Sequence, residues 1–278
     1  EKIGKGEIRV GEETMAIVFD GNAHKARILE QLAKTLQTSK SKPTLGIIQV
    51  GNDPASSSYI KMKEQAAQRI GARFLYKKFK ESVNKDVIIS QIHIWNHNKN
   101  VTGVLVQLPL PEQLQEKEII AEIEPTKDVD GLHPRTKFAG PAAAAISYIL
   151  EEAGVEIPGR KIVVIGSGKT AGEPIISYLL YKGARVTIVG KDTKNAKEII
   201  KQAHILVTAV GKPDFYLKGK DIQKGAVLIG VGIRRDKKGK LIGDYDEKSV
   251  AKVASFYTPT PGGVGPITVA MLMKNLAN

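Results

Sequence analysis

The sequence predicts two α/β domains on parallel sheets, the second of them Rossmann-like, with a cleft between them. Short runs of Val, Ile and Leu alternate with longer segments of helical period, the rhythm of βα units. The alternation comes in two blocks, separated by residues 125–140, which are poor in periodic signal and carry Pro125, Gly131, Pro134 and Gly140. The second block opens with a strand that runs directly into a glycine-rich turn and then a helix, as a dinucleotide-binding unit does. At 278 residues the chain is long enough for two ordinary domains.

In chain order, residues 1–14 are polar, lack the apolar stretch of a secretory signal and read as an extension before Met15. Strands are expected at 44–50, 72–78 and 102–108, with helices starting near Tyr59 and Asn84. A helix follows at 142–152, and a domain boundary is placed near Pro141. Strands at 161–165, 185–189, 205–210 and 226–231 make the second sheet. Residues 258–266 pack three Pro and three Gly into nine positions, a loop, and 268–276 form a closing helix. The assignment is thus 15–140 for the first domain, completed by 267–278, and 141–266 for the second.

Composition narrows the function. Lys plus Arg number 42 against 29 Asp plus Glu, a formal charge of +13 that favours anionic partners. With one Trp and 5% aromatics the stacking platforms of single-strand nucleic-acid binders are not evident, and no nucleic-acid partner is expected. The apolar runs at 142–150 and 226–233 fall short of the roughly 20 residues that span a bilayer, so no membrane partner is expected either. The absence of Cys excludes disulfides, thiolate metal sites and a Cys nucleophile, and permits a reducing cytoplasm.

The turn reads Gly166-Ser167-Gly168-Lys169-Thr170-Ala171-Gly172 and satisfies G-x-G-x-x-G/A between strand and helix. Gly166 is expected to make the tight turn, Gly168 to admit a pyrophosphate and Ala171 to allow close helix packing, with the anion on a helix N-terminus. A P-loop is excluded, because its first Gly falls at Val163. At the end of the second strand, where a carboxylate would grip the ribose of NAD, stands Lys191, a partner for the 2′-phosphate of NADP; Asp192 beside it keeps NAD open.

In the first block Tyr59 and Lys63 share one helix face. Alone they are an ordinary amphipathic pair. They stand among Gly51-Asn-Asp-Pro-Ala-Ser, Tyr59-Ile-Lys-Met-Lys63, Val106-Gln107-Leu108-Pro109-Leu-Pro, Lys127-Asp-Val-Asp130-Gly-Leu-His-Pro and Pro261-Gly262-Gly263-Val-Gly-Pro-Ile-Thr268. This ordered set resembles the bifunctional methylenetetrahydrofolate dehydrogenase/cyclohydrolase family, from about Phe19 to the last helix.

The resemblance implies oxidation of 5,10-methylenetetrahydrofolate with NADP and hydrolysis of the 5,10-methenyl product to 10-formyltetrahydrofolate, steps of one-carbon metabolism that serve purine biosynthesis. It implies Lys63 as the catalytic lysine, Gln107 as the residue that tunes it, Tyr59 stacked on the folate and Asp130 gripping the pterin, with Leu108, Pro109, Pro261, Gly262 and Gly263 at the substrate. It places Gly166, Ser167, Gly168, Lys169, Lys191 and Ile233 at the cofactor. It also implies a cytoplasmic homodimer and no metal. A Rossmann dehydrogenase for another anionic metabolite and a folate-binding protein without turnover are the alternatives.

Departures from the family pattern fall in the cofactor half. Gly140-Pro-Ala-Ala-Ala-Ala replaces a Pro-Cys-Thr-Pro-like segment, Ser167 replaces an Arg, and Gly230 and Arg234 stand where Asp and Asn are common. His93 and His97 lack a third ligand and read as helix surface. Arg234 to Lys238 reads as a solvated hairpin tip rather than a binding patch.

Overall fold

A computed structural model describes residues 16–39 and 41–278; the expected extension at 1–14 and Met15 lie outside the described residues. The elements are, in order, β1 (Ile17–Val18), α1 (Gly21–Gln37), β2 (Thr44–Val50), α2 (Pro54–Arg69), β3 (Arg73–Phe79), α3 (Lys85–His97), β4 (Gly103–Val106), α4 (Glu116–Ala121) and α5 (Pro141–Glu152). Then come β5 (Lys161–Ile165), α6 (Gly172–Tyr181), β6 (Arg185–Val189), α7 (Ala196–Gln202), β7 (Ile205–Thr208), β8 (Val227–Gly230), β9 (Ile233–Arg235), β10 (Leu241–Gly243), α8 (Glu247–Val250), β11 (Phe256–Tyr257) and α9 (Val264–Ala277).

The smaller sheet has the order β3-β2-β4 and the larger β1-β11-β8-β7-β5-β6, each with all its pairs parallel. Every residue of β2 is buried, as expected of a central parallel strand covered on both faces. In the larger sheet the strand order reverses between β5 and β7. That reversal is the topological switch point, where ligands bind beyond the carboxyl ends of the strands.

Local chemistry explains where elements begin. α2 starts at Pro54, a full turn before the expected Tyr59, because Asp53 accepts from Ser56 N at 2.7 Å and Pro54 supplies a pre-set φ. Likewise Asp20 accepts from the amides of Asn22 and Ala23, each at 3.0 Å, and starts α1, a helix the periodicity did not reveal. α9 begins at Val264 rather than 268, since Pro266 lies in its first turn, where a missing N–H costs nothing.

The domain assignment changes at its start. Ile17 and Val18 do not join the first sheet; they pair with Phe256 and Tyr257 and form an edge of the larger one. The expected boundary at Pro141 coincides with the first residue of α5. α9 is shared: Val264, Ile267, Ala270 and Met271 enter the core of the larger sheet, while Val269, Leu272, Met273 and Leu276 enter that of the smaller one. α1 and α5 both pack along it.

Candidate active site

A cleft of about 470 Å³ opens between the two sheets. Its walls include Tyr59, Met62 and Lys63 from α2, Gln107, Asp130, the loop Pro259 to Gly263, and Ile233 and Leu241 from the β9–β10 hairpin. Tyr59 and Lys63 reach it from one helix face, as their spacing dictates. Gln107 follows immediately on β4, which ends at Val106 instead of continuing to 108.

The Lys63 Nζ donates to Gln107 Oε1 at 2.9 Å. The Gln107 side-chain amide in turn donates to the Leu108 carbonyl at 2.8 Å, which fixes the acceptor toward the lysine. Burial pushes the Lys63 amine below its ordinary pKa, and Asp130 opposes the shift. Asp130 is pushed the other way, upward, by burial first, with Lys63 pulling it down and Asp128 adding to the rise. No ion pair joins Lys63 to Asp130 among the described residues. The amine is therefore held by a neutral amide rather than by a carboxylate, and burial favours its uncharged form, the form a base requires. Burial also raises the Tyr59 hydroxyl, with Arg235 opposing, so that ring is a neutral phenol at ordinary pH.

The KDVDG segment is anchored from outside the cleft. Lys127 Nζ donates to the carbonyls of Trp95, Asn96 and Asn98 at 2.9, 2.7 and 2.9 Å, closing the C-terminus of α3. Asp128 is buried and accepts from His133 N at 2.8 Å. Between these two anchors and the glycine turn that follows, Asp130 is left facing the cleft.

The glycine-rich turn lies at the switch point. Gly166 has φ +92° and its missing Cβ would meet the Ala209 carbonyl oxygen at 2.6 Å, so only glycine fits. A Cβ on Gly168 would meet nothing within 4 Å, and the open space stands before α6. The close helix packing expected of Ala171 belongs to Gly172, whose Cβ would lie 2.2 Å from the Gly166 carbonyl oxygen, and the helix starts there. The turn leads toward the cleft through Ala209 to Gly211, a loop clamped by the buried Asp244, whose two oxygens accept from Val210 N and Gly211 N at 2.9 and 2.8 Å. Ile233 packs beside Gly211 and lines the cleft. This path from a helix N-terminus with free space to the Lys63 cleft fits an extended dinucleotide.

The structure thus brings Lys63, Gln107, Tyr59, Asp130, Pro261, Gly262, Gly263 and Ile233 to one cleft. Leu108 packs instead against the core under α3 and α4, and Pro109 is exposed; neither lines the cleft, which the chain leaves after Gln107. Ser167, Lys169 and Lys191 are exposed at the ends of β5 and β6. His93 and His97 lie on the α3 surface, where His93 contacts Glu122 at 2.7 Å. The anchors Asp53, Lys127 and Asp244 escaped sequence reasoning; for Asp53, the Asp-Pro pair before a helical segment was a usable cap signal.

Residues 19–130 match the tetrahydrofolate dehydrogenase/cyclohydrolase catalytic domain, and residues 140–278 match the NAD(P)-binding domain of the same proteins. The chain is 40% identical to the bifunctional protein FolD of Acetivibrio thermocellus, over 94% of this chain and 95% of that protein. It is 41% identical to that of Lachnoclostridium phytofermentans, over 94% and 96%. Among solved structures, the FolD methylenetetrahydrofolate dehydrogenase/cyclohydrolase of Campylobacter jejuni superposes with a TM-score of 0.89 at 32% identity, covering 94% of this chain and 97% of that one. The Trypanosoma brucei enzyme, solved with NADP and an inhibitor, superposes with a TM-score of 0.87 at 31% identity, covering 94% and 96%. With both domain models matched in order and relatives aligned along nearly the whole length, this chain belongs to the tetrahydrofolate dehydrogenase/cyclohydrolase family.

Proposed function

We propose that this protein oxidises 5,10-methylenetetrahydrofolate with NADP and hydrolyses the 5,10-methenyl product to 10-formyltetrahydrofolate in the same cleft. The observation that carries the reading is the Lys63 amine, lowered in pKa by burial and held by Gln107 in a cleft that also presents Asp130 and Tyr59.

Asp130 offers two carboxylate oxygens to the ring N–H and amino group of a pterin, a donor pair it matches edge to edge. Tyr59 gives a flat face on which the rest of the folate stacks. These two contacts set the one-carbon bridge beside Lys63. NADP, when bound, supplies the acceptor for the hydride that leaves the methylene carbon. The chain would hold the cofactor through Gly166, Gly168 and the α6 N-terminus, with Ser167 and Lys169 on the turn, and Lys191 would be the cation for the 2′-phosphate. Hydride loss leaves a methenyl carbon that water attacks. Lys63 takes one proton of that water; the carbon–nitrogen bond of the carbinolamine then breaks, the departing nitrogen takes up a proton as the hydroxyl gives up its own, and the formyl group stays on the other nitrogen.

The test follows methenyl absorbance with purified protein and methylenetetrahydrofolate, given NADP or NAD in parallel. Faster turnover with NADP supports the reading, whereas silence with both cofactors overturns it. Two further proposals belong to the same reading. The protein is a cytoplasmic homodimer; β3 leaves one edge of the smaller sheet unpaired, with Leu75 and Tyr76 exposed there, and light scattering that returns a monomer refutes the assembly. Among the described residues no helix is long and apolar enough to cross a membrane, and fractionation tests the location.

A further inference from the structure

The expectation of a solvated tip covers Arg234 to Lys238; the strands on either side of that tip bring one face of the β9–β10 hairpin to the cleft. Ile233 and Leu241 both line the cavity, and side chains alternate along a strand. Arg235, two residues beyond Ile233 and directly opposite Leu241 in register, therefore shares their face. Arg234 lies on the other face, where it donates to the Gly243 carbonyl at 2.9 Å and stacks over Tyr216 at 5.3 Å.

Arg235 is exposed and donates to the Gly239 carbonyl at 2.8 Å. No carboxylate pairs with it among the described residues. The one acidic residue of the hairpin tip, Asp236, accepts from the backbone amides of Lys238 and Lys240, each at 2.9 Å, and so closes the turn. Around it stand Arg234, Arg235, Lys237, Lys238 and Lys240. The field of Arg235 reaches Tyr59, where it favours the ionised phenol against burial.

We infer that Arg235 is a substrate-binding residue that meets the carboxylates of an anionic tail carried by the ring stacked on Tyr59, and so sets a preference for substrates with longer acidic tails. This rests on the folate reading and deepens it, since a folate carries one or more glutamates beyond its stacking ring. A guanidinium fork offers paired donors to each carboxylate. The cofactor phosphates are the other anions within the molecule's reach. Arg235 is felt at Tyr59, the ring on which the substrate stacks, which favours the substrate.

The test measures KM for the methylene adducts of tetrahydropteroate, which lacks the tail, and of mono- and triglutamyl tetrahydrofolate. It compares the unaltered protein with Arg235→Ala, Arg235→Lys and Lys238→Ala. In the unaltered protein KM falls as the tail grows. Arg235→Ala raises KM for the triglutamyl substrate about tenfold and flattens the series, Arg235→Lys restores part of it, and Lys238→Ala, which removes equal charge from the tip, leaves the trend in place. An unchanged KM series in Arg235→Ala overturns the inference alone. A rise confined to KM for NADP also overturns it and assigns the arginine to the cofactor. No turnover of any folate by the unaltered protein removes the folate reading and this inference with it.

Discussion

At the scale of the residue, Lys63 carries the sharpest expectation. Its amine is depressed by burial and bonded to a neutral amide. Cyclohydrolase rate should therefore rise with pH as the amine loses its proton, with a midpoint below the ordinary lysine value. Lys63→Met should cost about 10²–10⁴-fold in hydrolysis, the range for a positioned general base, while circular dichroism and thermal midpoint show a folded protein. A variant that hydrolyses normally would remove Lys63 from that role. Lys191, exposed at the end of β6, should act on one cofactor only: Lys191→Ala should raise KM for NADP about tenfold, the loss expected for a charge-assisted phosphate contact, with KM for NAD unmoved. Parallel titrations with the two cofactors decide it.

At the scale of the element, strand-to-helix junctions depend on backbones approaching closely. Gly172→Ala would put a Cβ 2.2 Å from the Gly166 carbonyl oxygen, backbone against backbone. Such overpacking costs about 1–3 kcal/mol or more. It should also push α6 away from the turn, so that dinucleotide binding by calorimetry weakens beyond the loss of stability. Gly230 shows a related constraint from a different partner. A Cβ there would lie 2.8 Å from the ring of Tyr245, which is buried and hydrogen-bonded to Thr258. The family resemblance sets Gly230 where an Asp is expected; here Tyr245 occupies the space that a side chain would need. Gly230→Asp is accordingly expected to destabilise this protein, and a denaturant midpoint equal to that of the unaltered chain would show that Tyr245 yields.

At the scale of the whole molecule, α9 ties the two sheets together. Its residues alternate between the two cores, so removing apolar volume from it loosens the frame on which both walls of the cleft are mounted. Leu272 is buried and also lines the cleft. Leu272→Ala should cost about 2–5 kcal/mol. Because the helix is common to both cores, urea unfolding should remain one transition followed alike by fluorescence from Trp95 in the smaller domain and by circular dichroism. Two separated transitions would mean that the domains unfold independently of α9.

The sequence by itself determined what is local: the alternation of strands and helices, the glycine turn between β5 and α6, the shared face of Tyr59 and Lys63, and the ordered motifs that mark the family. Periodicity and backbone sterics operate over a few residues, so they are written in the chain. It did not determine what depends on distant segments. Ile17 and Val18 join the larger sheet only because Phe256 and Tyr257 offer them an edge. Gly172 rather than Ala171 carries the close contact because the Gly166 carbonyl folds back beneath the helix. Arg235 shares a hairpin face with the cleft-lining Ile233 and Leu241 because the pairing register sets Leu241 opposite it. Pairing register and the burial that shifts Lys63 and Asp130 both arise from packing between residues far apart in sequence, and only the tertiary structure sets them.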